Sequence, residues 1–225
     1  TFSNAEHDAE RRDFTINGLF YDPLTETVID FVKGKADLDS RLVRAIGNPA
    51  ERFHEDHLRM LRAVRFATVL EFDIEPATLQ AIQKFAHEIR TVSGERIAAE
   101  MQRIVANPRR GQGLILLQTA GLLPFLLPQW ELRSMKARLA FDSICRHLNQ
   151  SSILDSGLEV SLSLVTLGQL LVTETESNGV SWSAILLRMT AVTNEIVRTW
   201  KLANESKAVF RAVQLHLGSI AQARQ

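Results

Sequence analysis

The sequence lacks the features that mark secreted and membrane-spanning proteins. It has a single cysteine, Cys145, in 225 residues, so it forms no internal disulfide, and such cysteine usage is typical of a reducing compartment. It has no run of about 18 apolar residues and no amino-terminal signal pattern. We therefore expect a soluble, cytoplasmic protein.

An excess of charge of one sign is also absent. Basic residues number 26 and acidic residues 26, whereas proteins that bind nucleic acid through their overall charge are usually basic. Any contact with RNA is therefore expected to depend on local patches. Because 45% of the residues are apolar, the chain can bury a substantial core, in one long domain or two smaller ones.

The first element that the sequence predicts is a β-hairpin. Aromatic and β-branched residues over 14–21 lead into a turn, and a second extended run follows over 27–31, which is typical of two antiparallel strands. Arg12 and Asp13 lie where the first strand begins. Their side chains either converge on a ligand at the end of that strand or close the hairpin as a pair.

A helix with one buried face is predicted over residues 53–67. Its apolar residues recur at about 100° per residue, at positions 60, 61, 63, 64, 67 and 70. Asn48 followed by Pro49 is a helix-start signal and predicts a short helix ahead of this one. His54 and His57 are too loosely spaced, and too far from other ligands, to favour a metal site.

The other side of this helix carries a slanting ribbon of charges at three-residue intervals: Asp56, Arg59, Arg62 and Arg65. Arg59 has acidic neighbours three and four residues back, whereas Arg62 and Arg65 have none on their own helix. Adjacent guanidiniums repel each other. The two arginines are therefore suited to an anionic ligand, unless they are solvated or paired with carboxylates from elsewhere in the fold.

From Pro76 onward the chain is predicted to be helical. The predicted segments are 76–90, 93–105, 107–121, 137–148, 158–172, 183–201 and 206–223, with a polar loop over 174–179. Three arginines of this region are candidate contacts for an RNA backbone: Arg103, Arg109 and Arg110.

Four motifs resemble, in order and spacing, those of class II tRNA nucleotidyltransferases and bacterial poly(A) polymerases. They are Arg11-Arg12-Asp13-Phe14-Thr15-Ile16-Asn17, then Asp30…Gly34…Asp37-Leu38, then Glu55-Asp56-x-x-Arg59-x-x-Arg62-Ala63-x-Arg65-Phe66-Ala67, then Val92-Ser93-x-Glu95-Arg96-Ile97. The resemblance covers about residues 9–128, and residues after Trp130 carry no motif of this kind.

The resemblance implies a mainly α fold with a small amino-terminal β-hairpin, namely the end of a polymerase β-like head followed by a helical neck and body. The expected division is head over 1–47, neck with base recognition and RNA binding over 48–130, and body or tail over 131–225. The implied activity is template-independent transfer of nucleotides from ATP, or from CTP and ATP, to the 3′ hydroxyl of RNA. Both CCA addition to tRNA and poly(A) addition fit these motifs.

The resemblance also implies a nucleotide pocket made of Arg12, Asp13, Asn17, Asp56, Arg59, Arg62 and Arg65. Arg12 and Asp13 would meet the triphosphate and ribose, and Asn17 would brace their strand. Asp56 and Arg59 would read the base, and the last two arginines would complete the pocket. Elsewhere, the resemblance assigns Gly34 and Asp37 to a flexible head-to-neck element, and Glu95 and Arg96 to a brace of the neck turn.

The chemistry of Asp56 and Arg59 agrees with base reading. Cytosine and adenine both present an amine donor beside a ring-nitrogen acceptor, which suit a carboxylate and a guanidinium respectively. Uracil and guanine present the opposite order and would leave both protein groups unpaired, at a cost of ~1–3 kcal/mol each. Such a pair selects C and A without a nucleic-acid template.

The catalytic carboxylates of the family are not found in this chain. In the family they precede the Arg-Arg-Asp motif, together with a glycine-rich turn. Here only ten residues precede Arg11, and Glu6, Asp8 and Glu10 do not form an Asp-x-Asp. We expect these carboxylates and their two Mg²⁺ ions upstream of Thr1, and no activity from the chain alone. The alternative is a non-catalytic helical module, derived from this family, that binds RNA or nucleotides.

Overall fold

The computed structural model describes residues 4–127, 135–150 and 182–202, with residues 205, 208–213 and 215. This part is mainly helical with a small amino-terminal β-hairpin, which confirms the predicted fold class. The segments predicted over 158–172 and 174–179, and most of 206–223, lie outside the described residues. In the part that is described, no helix has the length and apolar character needed to cross a membrane.

From α1 to α8 the elements follow one another along the chain with short connections. The helices are α1 Ala5–Arg11, α2 Gly34–Asp39, α3 Pro49–Glu55, α4 Leu58–Leu70, α5 Pro76–Phe85, α6 Gly94–Val105, α7 Arg110–Thr119, α8 Leu123–Leu126, α9 Met135–Gln150 and α10 Trp182–Thr199. The strands are β1 Leu19–Asp22, β2 Thr27–Asp30, β3 Leu42–Val43 and β4 Asp73–Ile74. Strand β1 pairs antiparallel with β2, with Leu19 opposite Asp30, and β3 pairs parallel with β4.

The hairpin is present, but it starts later than predicted. Residues 15–17 form a 3-10 turn, and Phe14 makes an isolated bridge to Ala45. Helix α1, which the sequence analysis missed, precedes this turn, and the Asn4 side chain caps it by accepting the N–H of His7. Arg12 and Asp13 therefore follow a helix and do not open a strand.

The single helix predicted over 53–67 is two helices. Asp56 has an extended backbone, with φ −152° and ψ 105°, and ends α3. Its Oδ1 accepts the N–H of Leu58, the first residue of α4, at 3.1 Å, and bonds of this kind compete with a continuing helix. Asp56 and Arg59 consequently lie on opposite sides of a helix junction. Asn48 caps α3 as predicted, accepting the N–H of Ala50.

Helix α4 lies at the centre of the core. Its residues at 60, 61, 63, 64 and 67 are buried as predicted, whereas Leu70, at the end of the helix, is 40% exposed. The buried face packs against α6 and α7. Helix α6 also meets α10 closely, because a Cβ at Gly94 would lie 1.9 Å from the carbonyl oxygen of Thr199. Burial raises the pKa of the Cys145 thiol, on α9, to about 12.

Two carboxylates fix the first turn of α2. Asp30 accepts the backbone N–H groups of Gly34 at 2.9 Å and Lys35 at 3.0 Å. Buried Asp37 accepts the Thr15 hydroxyl at 2.7 Å. A Cβ at Gly34 would lie 2.1 Å from the carbonyl oxygen of Thr15, so only glycine permits this approach.

Replacing Gly34 by alanine should therefore destabilise the fold. Gly34→Ala forces α2 away from Thr15, and we expect a loss of about 1–3 kcal/mol in the free energy of unfolding, as for other overpacked sites. Urea denaturation measures it. Lys35→Ala is the matched control, because Lys35 is exposed and alanine keeps the N–H that Asp30 accepts. Equal stability of the two variants would contradict the close packing.

Candidate nucleotide-binding site

Asp13 is held between two arginines of α4. Its Oδ1 accepts from Nε of Arg59 at 2.9 Å, and its Oδ2 lies 2.5 Å from Nη2 of Arg62. The Asp13 side chain is only 15% exposed. The carboxylate that the resemblance assigned to the nucleotide thus holds two guanidiniums in this structure.

Arg59 is anchored through its Nε and Nη1 atoms. Besides Asp13, it donates from Nη1 to the Glu55 carboxylate and, at 2.9 Å, to the carbonyl of Arg52. Burial lowers the pKa of Arg59, but the contacts with Glu55 and Asp13 outweigh it and leave this pKa raised, so the group stays charged. Within the described residues, Nη2 of Arg59 donates no hydrogen bond.

Asp56 is half-buried beside Arg59 and is bonded to other groups. Its Oδ2 accepts from Nη2 of Arg96 at 2.7 Å, while Oδ1 holds the N–H of Leu58. Burial acts to raise the pKa of Asp56. The hydrogen bonds from Arg96 and Leu58 and the charges of Arg96 and Arg59 oppose this and bring the pKa below its usual value. The carboxylate is therefore ionised, and each oxygen keeps further acceptor capacity.

Arg62 and Arg65 pair with carboxylates from elsewhere in the fold, one of the alternatives that the sequence analysis left open. Arg62 meets Asp13, and Arg65 pairs through Nε with Glu100 of α6 at 2.5 Å. Arg65 also lies over the Phe66 ring, 3.9 Å from its centre, and is 14% exposed. The spacing rule considered only residues of the same helix, whereas Glu100 lies 35 positions away. Arg65 thus ties α4 to α6.

Arg12 is more accessible than the three arginines of α4. It is half exposed and pairs with Asp8 of α1 at 2.9 Å, and its guanidinium lies 5.9 Å from the centre of the Phe20 ring. Asn17, on the 3-10 turn, is half-buried, and its N–H donates to the carbonyl of Phe14. Within the described part of the chain, neither residue forms a hydrogen bond or ion pair with Asp56 or Arg59.

Arg52 is a structural member of the site that the sequence analysis missed. Its Nε donates to the carbonyl of Ile46 at 3.1 Å, Nη1 to Glu55 at 3.0 Å and Nη2 to the carbonyl of Arg12 at 3.3 Å. The three-residue spacing to Glu55 signalled only the second of these bonds. Arg52 and Glu55 also line a cleft of about 520 Å³ that extends to Glu10 and Arg44.

The three arginines predicted to contact RNA differ in exposure. Arg103 pairs with Glu100 at 2.9 Å and Arg109 with Glu71 at 2.6 Å, and their side chains are 61% and 57% exposed. Arg110 is buried, at 7%, which weighs against the RNA contact predicted for it. Its position at the start of α7 turns it into the protein.

Metal ligands do not gather in the described part of the chain. No three His, Cys, Asp or Glu side chains come together there in a group that could hold a metal ion. The ring of His57 instead lies within hydrogen-bonding distance of the Thr91 hydroxyl, at 2.9 Å.

Two known families match parts of the chain. Residues 1–44 match the family described as Poly A polymerase head domain, and residues 71–133 match that described as Probable RNA and SrmB-binding site of polymerase A. The CCA-adding enzyme of Streptococcus gordonii is 35% identical over 201 residues, which are 89% of this chain and 43% of that protein. The CCA-adding enzyme of Levilactobacillus brevis is 49% identical over 115 residues, 51% of this chain and 29% of that protein.

A solved structure has the same fold. The crystal structure of the Bacillus stearothermophilus CCA-adding enzyme in complex with CTP superposes with a TM-score of 0.71 at 28% identity, over 97% of this chain and 48% of that one. The chain belongs to the class II CCA-adding enzyme and poly(A) polymerase family. It spans less than half the length of each of these three relatives.

Helices α3 and α4 lie between the two regions matched by the family. The head match contains Asp13, which binds Arg59, and the RNA-binding match contains Arg96, which binds Asp56. In this member of the family, the two residues assigned to base reading are thus each held by a different flanking region.

The two partners of Glu100 provide a test of what Arg65 does. Glu100 is 5% exposed and pairs with both Arg65 and exposed Arg103. Arg65→Ala removes the buried partner, and we expect a loss of about 3 kcal/mol in the free energy of unfolding. Arg103→Ala, the matched control, should cost less than about 1 kcal/mol. Urea denaturation compares them, and equal losses would contradict the structural role of Arg65.

The lowered pKa of Asp56 predicts how its contribution to stability depends on pH. A carboxylate with a lower pKa in the folded state stabilises the fold above its unfolded pKa of about 3.9, and this stabilisation is lost as pH falls through the folded pKa. We expect the free energy of unfolding of the wild type to exceed that of Asp56→Asn by a constant margin from neutral pH to about pH 5, and by a smaller margin in stronger acid.

Urea denaturation over a pH series measures this margin. Asp39→Asn, at an exposed position of α2, is the matched control. A margin that grows as the pH falls would contradict a lowered pKa of Asp56 in the folded protein.

Proposed function

We propose that this chain supplies the nucleotide-selecting and RNA-holding part of a template-independent RNA 3′-terminal nucleotidyltransferase. The proposed reaction is CCA addition to tRNA from CTP and ATP. The observation that supports it best is the proximity of Asp56 to Arg59, whose backbone N–H donates to the carbonyl of Asp56 at 3.1 Å across the junction of α3 and α4. The names of the relatives favour CCA addition over poly(A) addition.

Base selection would use the hydrogen-bonding capacity that the side chains of Asp56 and Arg59 keep. Asp56 has lone pairs that the bonds from Arg96 and Leu58 leave available, and these accept the exocyclic amine of cytosine or adenine. Nη2 of Arg59 donates to the ring nitrogen, or to the neighbouring oxygen of cytosine. Uracil and guanine would set an acceptor against these lone pairs and a donor against Nη2, which costs ~1–3 kcal/mol for each contact not made.

The other residues of the predicted pocket would act at different distances from the base. Asp13 orients Arg59 through Nε, which leaves the Nη2 edge for the nucleotide. Arg12 is exposed enough to meet the triphosphate, and Arg62, at 35% exposure, would complete the pocket. Asn17 and Arg65 would position the segments around it.

Exposed Arg103 and Arg109 would contact the RNA backbone. The division into head, neck and body at residues 47 and 130 remains part of this proposal.

The phosphoryl-transfer step would need groups that the described residues do not provide. In this family of reactions Mg²⁺ supplies charge neutralisation and activates the attacking hydroxyl. Because no three His, Cys, Asp or Glu side chains gather among the described residues, no step of the proposal relies on them for metal binding. Their proposed work is to bind, orient and select the nucleotide.

The activity is tested with the product of the complete reading frame that contains this chain. It is incubated with tRNA that ends before CCA and with labelled CTP and ATP, and the 3′ ends are sequenced. We expect C, C and A to be added in that order. Long A tails would correct the reaction to poly(A) addition. Selective nucleotide binding without transfer would favour the non-catalytic module.

Two substitutions separate base reading from phosphate binding. Arg59→Ala should lower the preference for CTP and ATP over UTP and GTP by about tenfold, the effect of one lost hydrogen bond to the base. Arg12→Ala should weaken all four triphosphates alike. Equilibrium binding measures both effects.

Arg59→Lys is the matched control for these variants. It keeps the charge beside Asp13 but loses the planar guanidinium fork, so it should retain the fold and still lose selectivity. If Arg59→Ala leaves affinity and base choice unchanged, the pocket assignment is wrong.

A further inference from the structure

We propose that Arg96 is a specificity-determining positioning residue, which holds the Asp56 carboxylate in the orientation that selects the base. This inference rests on the proposed function. Nη2 of Arg96 lies 2.7 Å from Oδ2 of Asp56, within the range of a short charge-assisted hydrogen bond. The resemblance to the family suggested only a brace of the neck turn.

Two bonds, one on each oxygen, fix the plane of the Asp56 carboxylate. Oδ1 accepts the N–H of Leu58 at 3.1 Å, and Oδ2 accepts from Arg96. The terminal torsion of an aspartate is broad, with two-fold symmetry. Without Arg96, the carboxylate is held at a single oxygen and turns about that torsion. Its acceptor lone pairs then lose their fixed direction relative to Arg59.

Arg96 is itself placed by a rigid helix start. It lies on the first turn of α6, which begins at Gly94, where the backbone approaches Thr199 of α10 too closely for any side chain. The adjacent Glu95 pairs with Lys201 at 2.8 Å, but both side chains are mostly exposed, so this pair adds little to the placement that the packing at Gly94 provides. The guanidinium therefore reaches Asp56 from a backbone that other contacts hold in position.

The contact between Arg96 of α6 and Asp56, which lies just before α4, is not needed to hold these parts of the fold together. Helices α4 and α6 are already joined by buried apolar side chains and by the buried pair of Arg65 with Glu100. The side chains of Arg96 and Asp56 are 52% and 31% exposed, and exposed ion pairs contribute little to stability. The main consequence of this contact is the orientation of the carboxylate.

The experiment compares the wild type with Arg96→Ala, Arg96→Lys and Glu95→Gln in the product of the complete reading frame. Equilibrium binding is measured for CTP, ATP, UTP, GTP and inorganic triphosphate, and thermal unfolding is followed in parallel. We expect Arg96→Ala to lower the CTP-to-UTP and ATP-to-GTP affinity ratios by about tenfold, as for one misdirected hydrogen bond. Affinity for inorganic triphosphate and the Tm should stay close to the wild type.

Two further variants separate positioning from bracing. Arg96→Lys restores a single charged donor and should recover part of the selectivity. Glu95→Gln, the matched control, weakens the neighbouring pair with Lys201 and should leave the ratios unchanged.

Three outcomes would overturn the inference. If Arg96→Ala kept the affinity ratios of the wild type, Arg96 would not orient the Asp56 carboxylate. A lower Tm in Arg96→Ala, with a parallel loss of affinity for every ligand, would show that Arg96 stabilises the fold and does not act on base choice. Absence of any nucleotide preference in the wild type would overturn the proposed function as well, and is thereby distinguished from the first two.

Discussion

The structure around α4 depends on the carboxylate of Asp13. Arg59 and Arg62 are neighbours on one helix, and their like charges repel each other. Asp13 lies between them, with one oxygen on each guanidinium, so the repulsion is converted into two attractive contacts at a largely buried site. Because Asp13 comes from the segment after α1, the same contacts bind the amino-terminal part of the chain to the central helix.

The helix junction at Asp56 has a comparable consequence. Had α3 continued into α4, Asp56 would project from a helix surface one turn before Arg59, with its backbone committed to helical hydrogen bonds. The extended backbone at Asp56 instead turns the side chain back to the N–H of Leu58 and outward to Arg96 of α6. The break between α3 and α4 thereby brings α6 into contact with Asp56, one of the two residues proposed to read the base.

Local patterns predicted the local features of this fold. The buried face of α4, the cap of Asn48 on α3 and the antiparallel hairpin follow from periodicity and turn chemistry, which act over a few residues. The junction at Asp56 and the partners of Arg62 and Arg65 did not follow, because they depend on tertiary contacts. Glu100, for example, lies 35 positions from Arg65. The motifs gave the identity of the candidate site residues, whereas their partners could be found only from the fold.

Because of these contacts, the arrangement of Asp56 and Arg59, the residues proposed to read the base, depends on both flanking regions. Arg59 takes its orientation from Asp13, which lies in the match to the head domain, and Asp56 takes its orientation from Arg96, which lies in the match to the RNA-binding region. Helices α3 and α4 carry both reading groups, but they supply neither of these two partners. A shift of either region relative to α4 would turn one member of the pair and not the other. Base choice in such an arrangement depends on how the regions are joined, as well as on which residues are present.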